Sequence, residues 1–276
     1  MNNLTFLKPV PIDGKTRLGN SGDGGYVVYG TGLEEIDVLI SYGVGWDTAF
    51  EEDFNRVTNK KVLMFDPTMF GRYLFDMSHF WELIYHGRLL QALFYPAIVW
   101  LILRKKKKLE RENVYFINEG LSSVKSEKYD TFDGHIRRFD LHGKRLLLKM
   151  DIEGHEYDVF CSGGFFGCLG YVDQLVIEFH DLKNRLRELQ IILTKLAEYF
   201  DLIHIHGNNY ANTFVLYGFS QESTADMVLP DVVELSFVRK GKVKSAHILE
   251  EGDCYPVKDL DYPNDPSRAD YTIEFI

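Results

Sequence analysis

Short apolar runs rich in β-branched residues recur along the chain at residues 37–41, 61–65, 114–117, 145–150, 174–179 and 202–206. Strands that are apolar on every position belong to a sheet covered on both faces. Leu186, Leu189, Leu193, Leu196 and Phe200 recur at helical spacing between two of these runs, which predicts a crossover helix with one buried stripe. Phe50, Phe54 and Val57 predict another helix after the first run. Strand and helix alternation with right-handed crossovers gives an α/β fold, a doubly wound and mostly parallel seven-stranded sheet, with its strand C-termini along one edge where ligands bind. The last run, residues 232–238, follows no helix-length segment and is expected as an antiparallel edge strand. Residues 75–108 interrupt the alternation and read as an insertion into a single domain covering residues 1–276. Within the insertion, residues 89–103 contain only Gln91 as a polar side chain, yet a bilayer span needs about 20 apolar residues and this run carries Pro96 in its middle.

Composition narrows the function classes. A chain of 276 residues with 45% hydrophobic residues can bury a full core. Its formal net charge of -10, with one dense basic run at residues 104–108, predicts no nucleic-acid partner, because phosphate binding needs a basic face. Joined to the apolar stretch before it, that basic run makes residues 89–108 a candidate for peripheral contact with the cytoplasmic face of a membrane, or for a lid or oligomer contact. Cys161, Cys168 and Cys254 stand in no metal or disulfide spacing, and the opening MNNLTFLKPVPIDGK has no secretory pattern, so a cytoplasmic protein is expected.

The candidate chemistry gathers at the predicted strand ends. DVLISYGVGWDTAFEEDF places Gly43 and Gly45 in the turn after the first strand, with Thr48 and Glu51 spaced as a capping box and Asp47 as a further cap. Asp66, about twenty residues on, ends the second strand where an acid can accept the ribose hydroxyls of an adenosine cofactor. A dinucleotide site would carry a third glycine where Thr48 stands, which favours a cofactor without pyrophosphate, such as S-adenosylmethionine (SAM). RLLLKMDIEGHEYDVF then crowds Asp151, Glu153, His155 and Glu156 at one strand end; QLVIEFHD brings Glu178, His180 and Asp181 to the next; HIHGNNYA brings His204, His206, Asn208 and Asn209 to a third. So many ionisable groups are costly to bury without a ligand or partners, so they are expected to line a cleft.

The string KMDIEGHEYDVF resembles the KxDIEGxExxVL signature of FkbM-type SAM-dependent methyltransferases, and SGDGGYVV, SYGVGWDTAFE, FDPT, QLVIEFH and HGNNY resemble blocks of related proteins in the same order. The resemblance implies a Rossmann-like class I methyltransferase fold, SAM held by Gly43, Gly45, Asp47, Asp66 and Asp151 with Asn118 and Glu119 towards the adenine, and O-methylation of a hydroxyl. Glu153, His155 and His180 are then the candidate catalytic acids and bases, and Glu178, His206, Asn208 and Asn209 the candidate substrate contacts, with a small-molecule or glycan acceptor. Asp151, Glu178 and His180 are candidate ligands of a divalent cation such as Mg²⁺, since neighbouring strand ends lie about 4.8 Å apart. An NAD-dependent oxidoreductase and a catalytically idle nucleoside-binding module remain as alternatives, because fold alone does not decide chemistry.

Overall fold

The alternating side chains of each central strand enter two different cores, which is why these strands carry almost no polar position. In the computed structural model, which describes residues 4–68, 104, 107, 113–216, 227–243 and 254–275, a hairpin of β1 (Lys15–Leu18) and β2 (Tyr26–Tyr29) precedes β3 (Val38–Tyr42), α1 (Ala49–Thr58), β4 (Lys61–Phe65) and β5 (Val114–Ile117). A short parallel pair, β6 (Gly120–Leu121) and β7 (Tyr129–Asp130), leads into α2 (Phe132–Arg138), β8 (Leu146–Met150), α3 (Glu156–Cys161) and α4 (Phe165–Cys168). There follow β9 (Val172–Phe179), α5 (Leu182–Leu196), β10 (Phe200–Gly207), a hairpin of β11 (Thr213–Leu216) and β12 (Met227–Pro230), β13 (Val233–Arg239), and the small pair β14 (Cys254–Tyr255) and β15 (Ile273–Glu274).

Seven strands form the central sheet in the order β10-β13-β9-β8-β3-β4-β5. The chain winds outward from β3 to β5, returns to place β8 beside β3, and winds outward again; β3, β4, β5, β8 and β9 run parallel. This is a doubly wound, Rossmann-like sheet, mostly parallel, with β13 as its antiparallel strand. Val38, Ile40 and Tyr42 of β3 pack with Ile136, Tyr157, Leu189 and Leu193 of the helices on one face. Leu39, Val62 and Met64 pack with Phe50 and Phe54 of α1 and with Tyr26 and Val28 of the hairpin on the other. Each buried phenylalanine of α1 contributes roughly 1.5–3 kcal/mol.

Two expectations need correction. The last strong run is antiparallel, but β13 lies one strand in from the edge, paired antiparallel to both β9 and β10. All of its first six side chains are buried, and the inner position also pairs both of its backbone edges, which an outer strand leaves open. Phe200 opens β10 instead of extending the stripe of α5. The helix predicted from Phe50, Phe54 and Val57 is α1, which turns Phe50, Glu51 and Phe54 inward and leaves Val57 exposed. The insertion at 75–108 lies outside the described residues apart from Arg104 and Lys107, and among the described residues no helix is long and apolar enough to cross a membrane.

Candidate functional site

The C-terminal ends of β3, β4 and β8 are stitched together by the backbone. Gly43 N–H donates to the Phe65 carbonyl (3.0 Å) and Asp151 N–H to the Tyr42 carbonyl (3.1 Å). Gly43 sits at φ +71°, and a Cβ there would overlap the Asp151 carbonyl oxygen. Gly45 also has positive φ, but a Cβ there would meet nothing within 4 Å. Its amide donates to Asp66 Oδ2 (2.9 Å), while Asp66 Oδ1 accepts from Thr68 N–H and Oγ1–H (2.7 and 2.8 Å). Asp66 therefore closes the glycine loop onto β4.

Asp47 caps the start of α1 through Ala49 N–H (2.9 Å) and also accepts from Asn20. The expected capping box is rearranged: Thr48 Oγ1 donates to Glu52 (2.9 Å), while Glu51 turns under the sheet, accepts from Ser41 Oγ (2.5 Å) and lies 3.9 Å from Lys149 Nζ. Burial pushes the Glu51 carboxyl up against the pull of Lys149. Burial would lower the Lys149 ammonium, but the charges of Glu51, Asp151 and Glu178 hold it above its ordinary value.

Beside this loop the ends of β8 and β9 carry an acidic cluster. The Tyr26 hydroxyl lies 3.1 Å from both Asp151 Oδ2 and Glu178 Oε2, and Asn208 Nδ2 donates to Glu178 Oε1 (2.9 Å). The phenol has a single proton, so both contacts are hydrogen bonds only when one carboxyl is itself protonated. Accordingly, burial and then the neighbouring charges of Asp151 and Glu234 raise Glu178 well above the carboxylate range, and burial also raises Asp151. His180 Nδ1 is 3.2 Å from Glu156 Oε1, and its Nε2 faces Asp151 (3.9 Å), Glu153 (3.6 Å) and Glu178 (3.6 Å). Burial alone would lower the imidazole, but the bond to Glu156 and the charges of Glu156, Glu178 and Asp151 raise it to about 9. Glu153 stands at φ +56° with its carboxylate exposed.

Other predicted residues lie elsewhere. The side chains of His155 and Asn118 are exposed at the start of α3 and the end of β5. Glu119 pairs with Arg138. His206 is buried between Glu234 (3.2 Å) and Asp270 (3.1 Å). Asn209 is buried too, donating to the Asp265 carbonyl (3.0 Å) and accepting from its N–H (2.6 Å), so it anchors the segment after β14.

Two residues without a role in the sequence motifs, Glu156 and Tyr26, organise the cluster. Glu156, fully buried, receives Ile152 and Gly154 N–H (3.0 and 3.2 Å) as well as His180, and so fixes the Asp-Ile-Glu-Gly turn. Tyr26 comes from β2, and its place in the apolar YVVY run makes it read as core; only the preceding glycine-rich turn signals otherwise. Asp151, Glu178 and His180 each offer a ligand atom within 4.8 Å of the others, a donor set of two oxygens and one nitrogen that fits a divalent cation.

No protein-family model matches the chain, and no curated protein is significantly similar to it. Among solved structures it is similar to the precorrin-6y C5,15-methyltransferase of Geobacter metallireducens GS-15, with 10% identity over 74% of this chain and 82% of that one and a TM-score of 0.34. It is also similar to the fibrillarin pre-rRNA processing protein of Methanococcus jannaschii, with 10% identity over 76% of this chain and 69% of that one and a TM-score of 0.33. The expectation that nucleic acid is excluded as a partner is withdrawn: the net charge on which it rested does not decide it, and one of these structures is of a pre-rRNA processing protein. A net charge is a sum over the whole surface and does not describe any one face.

Proposed function

We propose that this chain transfers a methyl group from SAM to a hydroxyl oxygen, with a sugar or another small metabolite as the acceptor class. The observation that carries this reading is the adjacency, along one sheet edge, of the Gly43–Gly45 loop closed by Asp66 and the cluster of Asp151, Glu178 and His180. Asp66 would hold the ribose of a nucleoside cofactor, with Asn118 and Glu119 towards its adenine, and the strand ends of β8 and β9 would receive the acceptor. Bound SAM would supply an electrophilic methyl group to the acceptor oxygen, sulfur keeping the electron pair of the broken carbon–sulfur bond, and the hydroxyl proton would pass to a base. Exposed Glu153 reaches over the cluster and is the leading base, with His155 as the alternative on the same turn. His180, held protonated near neutral pH by its carboxylate neighbours, orients the acceptor oxygen as a donor when no cation is bound. A divalent cation at Asp151, Glu178 and His180 would supply charge that lowers the pKa of the acceptor hydroxyl.

Calorimetry with SAM, S-adenosylhomocysteine and NAD tests the first step, and a methyl-transfer screen over carbohydrates, small alcohols and RNA tests the second. Binding of both sulfur nucleosides without NAD, followed by turnover on a hydroxyl acceptor, is the expected outcome. Binding of NAD in their place points to an oxidoreductase. Binding without turnover on any acceptor points to an idle nucleoside-binding module.

A further inference from the structure

Away from the β8–β9 cluster, a second group of ligating side chains meets between the end of β5, the end of β7 and the body of α2. Glu119, Asp130 and His135 each present an atom within 4.8 Å of the other two. His135 is fully buried, its ring packed on Phe65 (centroids 4.4 Å) and stacked on Tyr42 (5.5 Å). Its Nδ1 is fixed at 2.8 Å from the Tyr42 hydroxyl. Its Nε2, equally buried, has no hydrogen-bond partner and lies 3.8 Å from Glu119 Oε2. A buried imidazole nitrogen left without a partner and turned towards two carboxylates costs stability unless something fills the gap.

We propose that Glu119, Asp130 and His135 form a binding site for a first-row divalent cation such as Zn²⁺. When Nδ1–H donates to the Tyr42 oxygen, Nε2 presents its lone pair to the gap, the arrangement in which metal-ligating histidines are held by an outer partner. Asp130 is equally constrained, accepting Thr131 N–H (2.8 Å) on one oxygen and standing where a side chain on Gly134 would collide with it. One imidazole and two carboxylates suit a borderline cation better than Mg²⁺, which prefers all-oxygen shells. The charge balance also fits. Lys125 lies 2.8 Å from Asp130 and Arg138 pairs with Glu119, both reaching in from solvent with side chains 70% and 41% exposed. Two single positive charges occupy the place of one divalent ion, so exchange leaves the net charge of the site unchanged. Zinc–ligand distances of about 2.0–2.2 Å require the three atoms to draw together by roughly 1 Å. The carboxylates supply that movement by rotation. A bound ion would tie the segment between β5 and β7 to α2.

The test uses the full chain carrying Asp151→Asn and Glu178→Gln, which silences the other cluster, titrated calorimetrically with Zn²⁺ and with Mg²⁺. One equivalent of Zn²⁺ is expected to bind, with Mg²⁺ much weaker. Adding Glu119→Gln, at the half-buried rim, is expected to weaken zinc at least about tenfold, since even outer-shell losses cost 10–100-fold. His135→Gln is expected to abolish binding, and Glu119→Gln keeps the test valid if that variant fails to fold. Absence of zinc binding in the silenced chain, zinc binding unaffected by Glu119→Gln, or Mg²⁺ binding as tightly as Zn²⁺ would each overturn the assignment. Methyl transfer enters none of these readouts, so the result stands apart from the fate of the functional reading.

Discussion

Gly43 and Gly45 are two positions apart, yet their replacement by alanine is expected to have very different consequences. At Gly45 the added methyl group meets nothing within 4 Å, so the cost is that of a left-handed backbone for an L-residue, about 1–2 kcal/mol. At Gly43 the same backbone penalty is joined by a collision in which Cβ falls at less than half the ordinary carbon–oxygen separation of about 3.3 Å from the Asp151 carbonyl. Cβ is fixed by the backbone and its collision partner is main chain, so no side-chain rotation relieves the overlap. Relief requires β3 and β8 to separate at their ends, stretching the bonds from Gly43 to Phe65 and from Asp151 to Tyr42. Two net backbone hydrogen bonds of about 1 kcal/mol each, an overpacking cost of about 1–3 kcal/mol and the backbone term sum to roughly 4–7 kcal/mol. That is a large share of a typical stability of about 5–15 kcal/mol. Urea unfolding followed by far-UV circular dichroism measures both variants against the parent chain. A Gly43→Ala protein within about 1 kcal/mol of Gly45→Ala would refute the claim that close strand approach, beyond turn conformation, demands glycine at 43.

Other outcomes follow from the same geometry. Asp66→Ala is expected to weaken SAM binding by about 1.5–3 kcal/mol in calorimetry; unchanged affinity in a folded protein would remove Asp66 from the ribose. For His206, burial lowers the imidazole pKa, but Glu234 and Asp270 outweigh it and raise it to about 10, above the unfolded value of 6.5. Its contribution is therefore complete below pH 6.5 and lost as pH rises towards 10. The urea midpoint is expected to fall over that window in the parent chain, and a His206→Gln chain with an equal alkaline slope would contradict this. Tyr26→Phe leaves the buried Glu178 and half-buried Asp151 carboxyls without their shared hydroxyl and is expected to cost about 1–3 kcal/mol in the same urea assay; a change below about 0.5 kcal/mol would show that water replaces the phenol. Exhaustive chelation separates the two readings of the cluster: activity lost and restored by a divalent cation such as Mn²⁺ supports a cation at Asp151, Glu178 and His180, whereas undiminished activity leaves the proton to Glu153 or His155 alone.

The strands of the parallel half were legible because each must be apolar on both faces, a pattern that survives without knowledge of any partner. The position of β13 was not. An antiparallel strand fits equally well at the edge or one place inward, and the connection between β10 and β13 permits either. Asp66 and the acidic cluster were visible because strand order brings them to one edge. Tyr26 was hidden because a phenol inside an apolar run has the signature of core. His206 and Asn209 read as loop chemistry because their partners arrive so late: Asp270 is 64 residues beyond His206, and Asp265 is 56 beyond Asn209. Glu119, Asp130 and His135 follow no motif spacing, and only the fold brings their ligand atoms, from just after β5, the end of β7 and α2, within 4.8 Å of one another.

The inner position of β13 has a consequence for how the chain reaches its native state. Strand β10 is completed at Gly207, and the strand that separates it from β9 begins only at Val233. As the chain emerges from the ribosome at about 5–20 residues per second, the finished edge of β9 therefore waits without its native neighbour. During that interval β10 is the nearest strand available, and pairing with it directly in parallel would have to be undone before β13 could enter. Non-local pairing of this kind is slow and exposes open strand edges. The closing step of the sheet is thus an insertion between two elements already made, and chains cut within the β11–β12 hairpin are expected to accumulate as aggregates with β9 unprotected from hydrogen exchange.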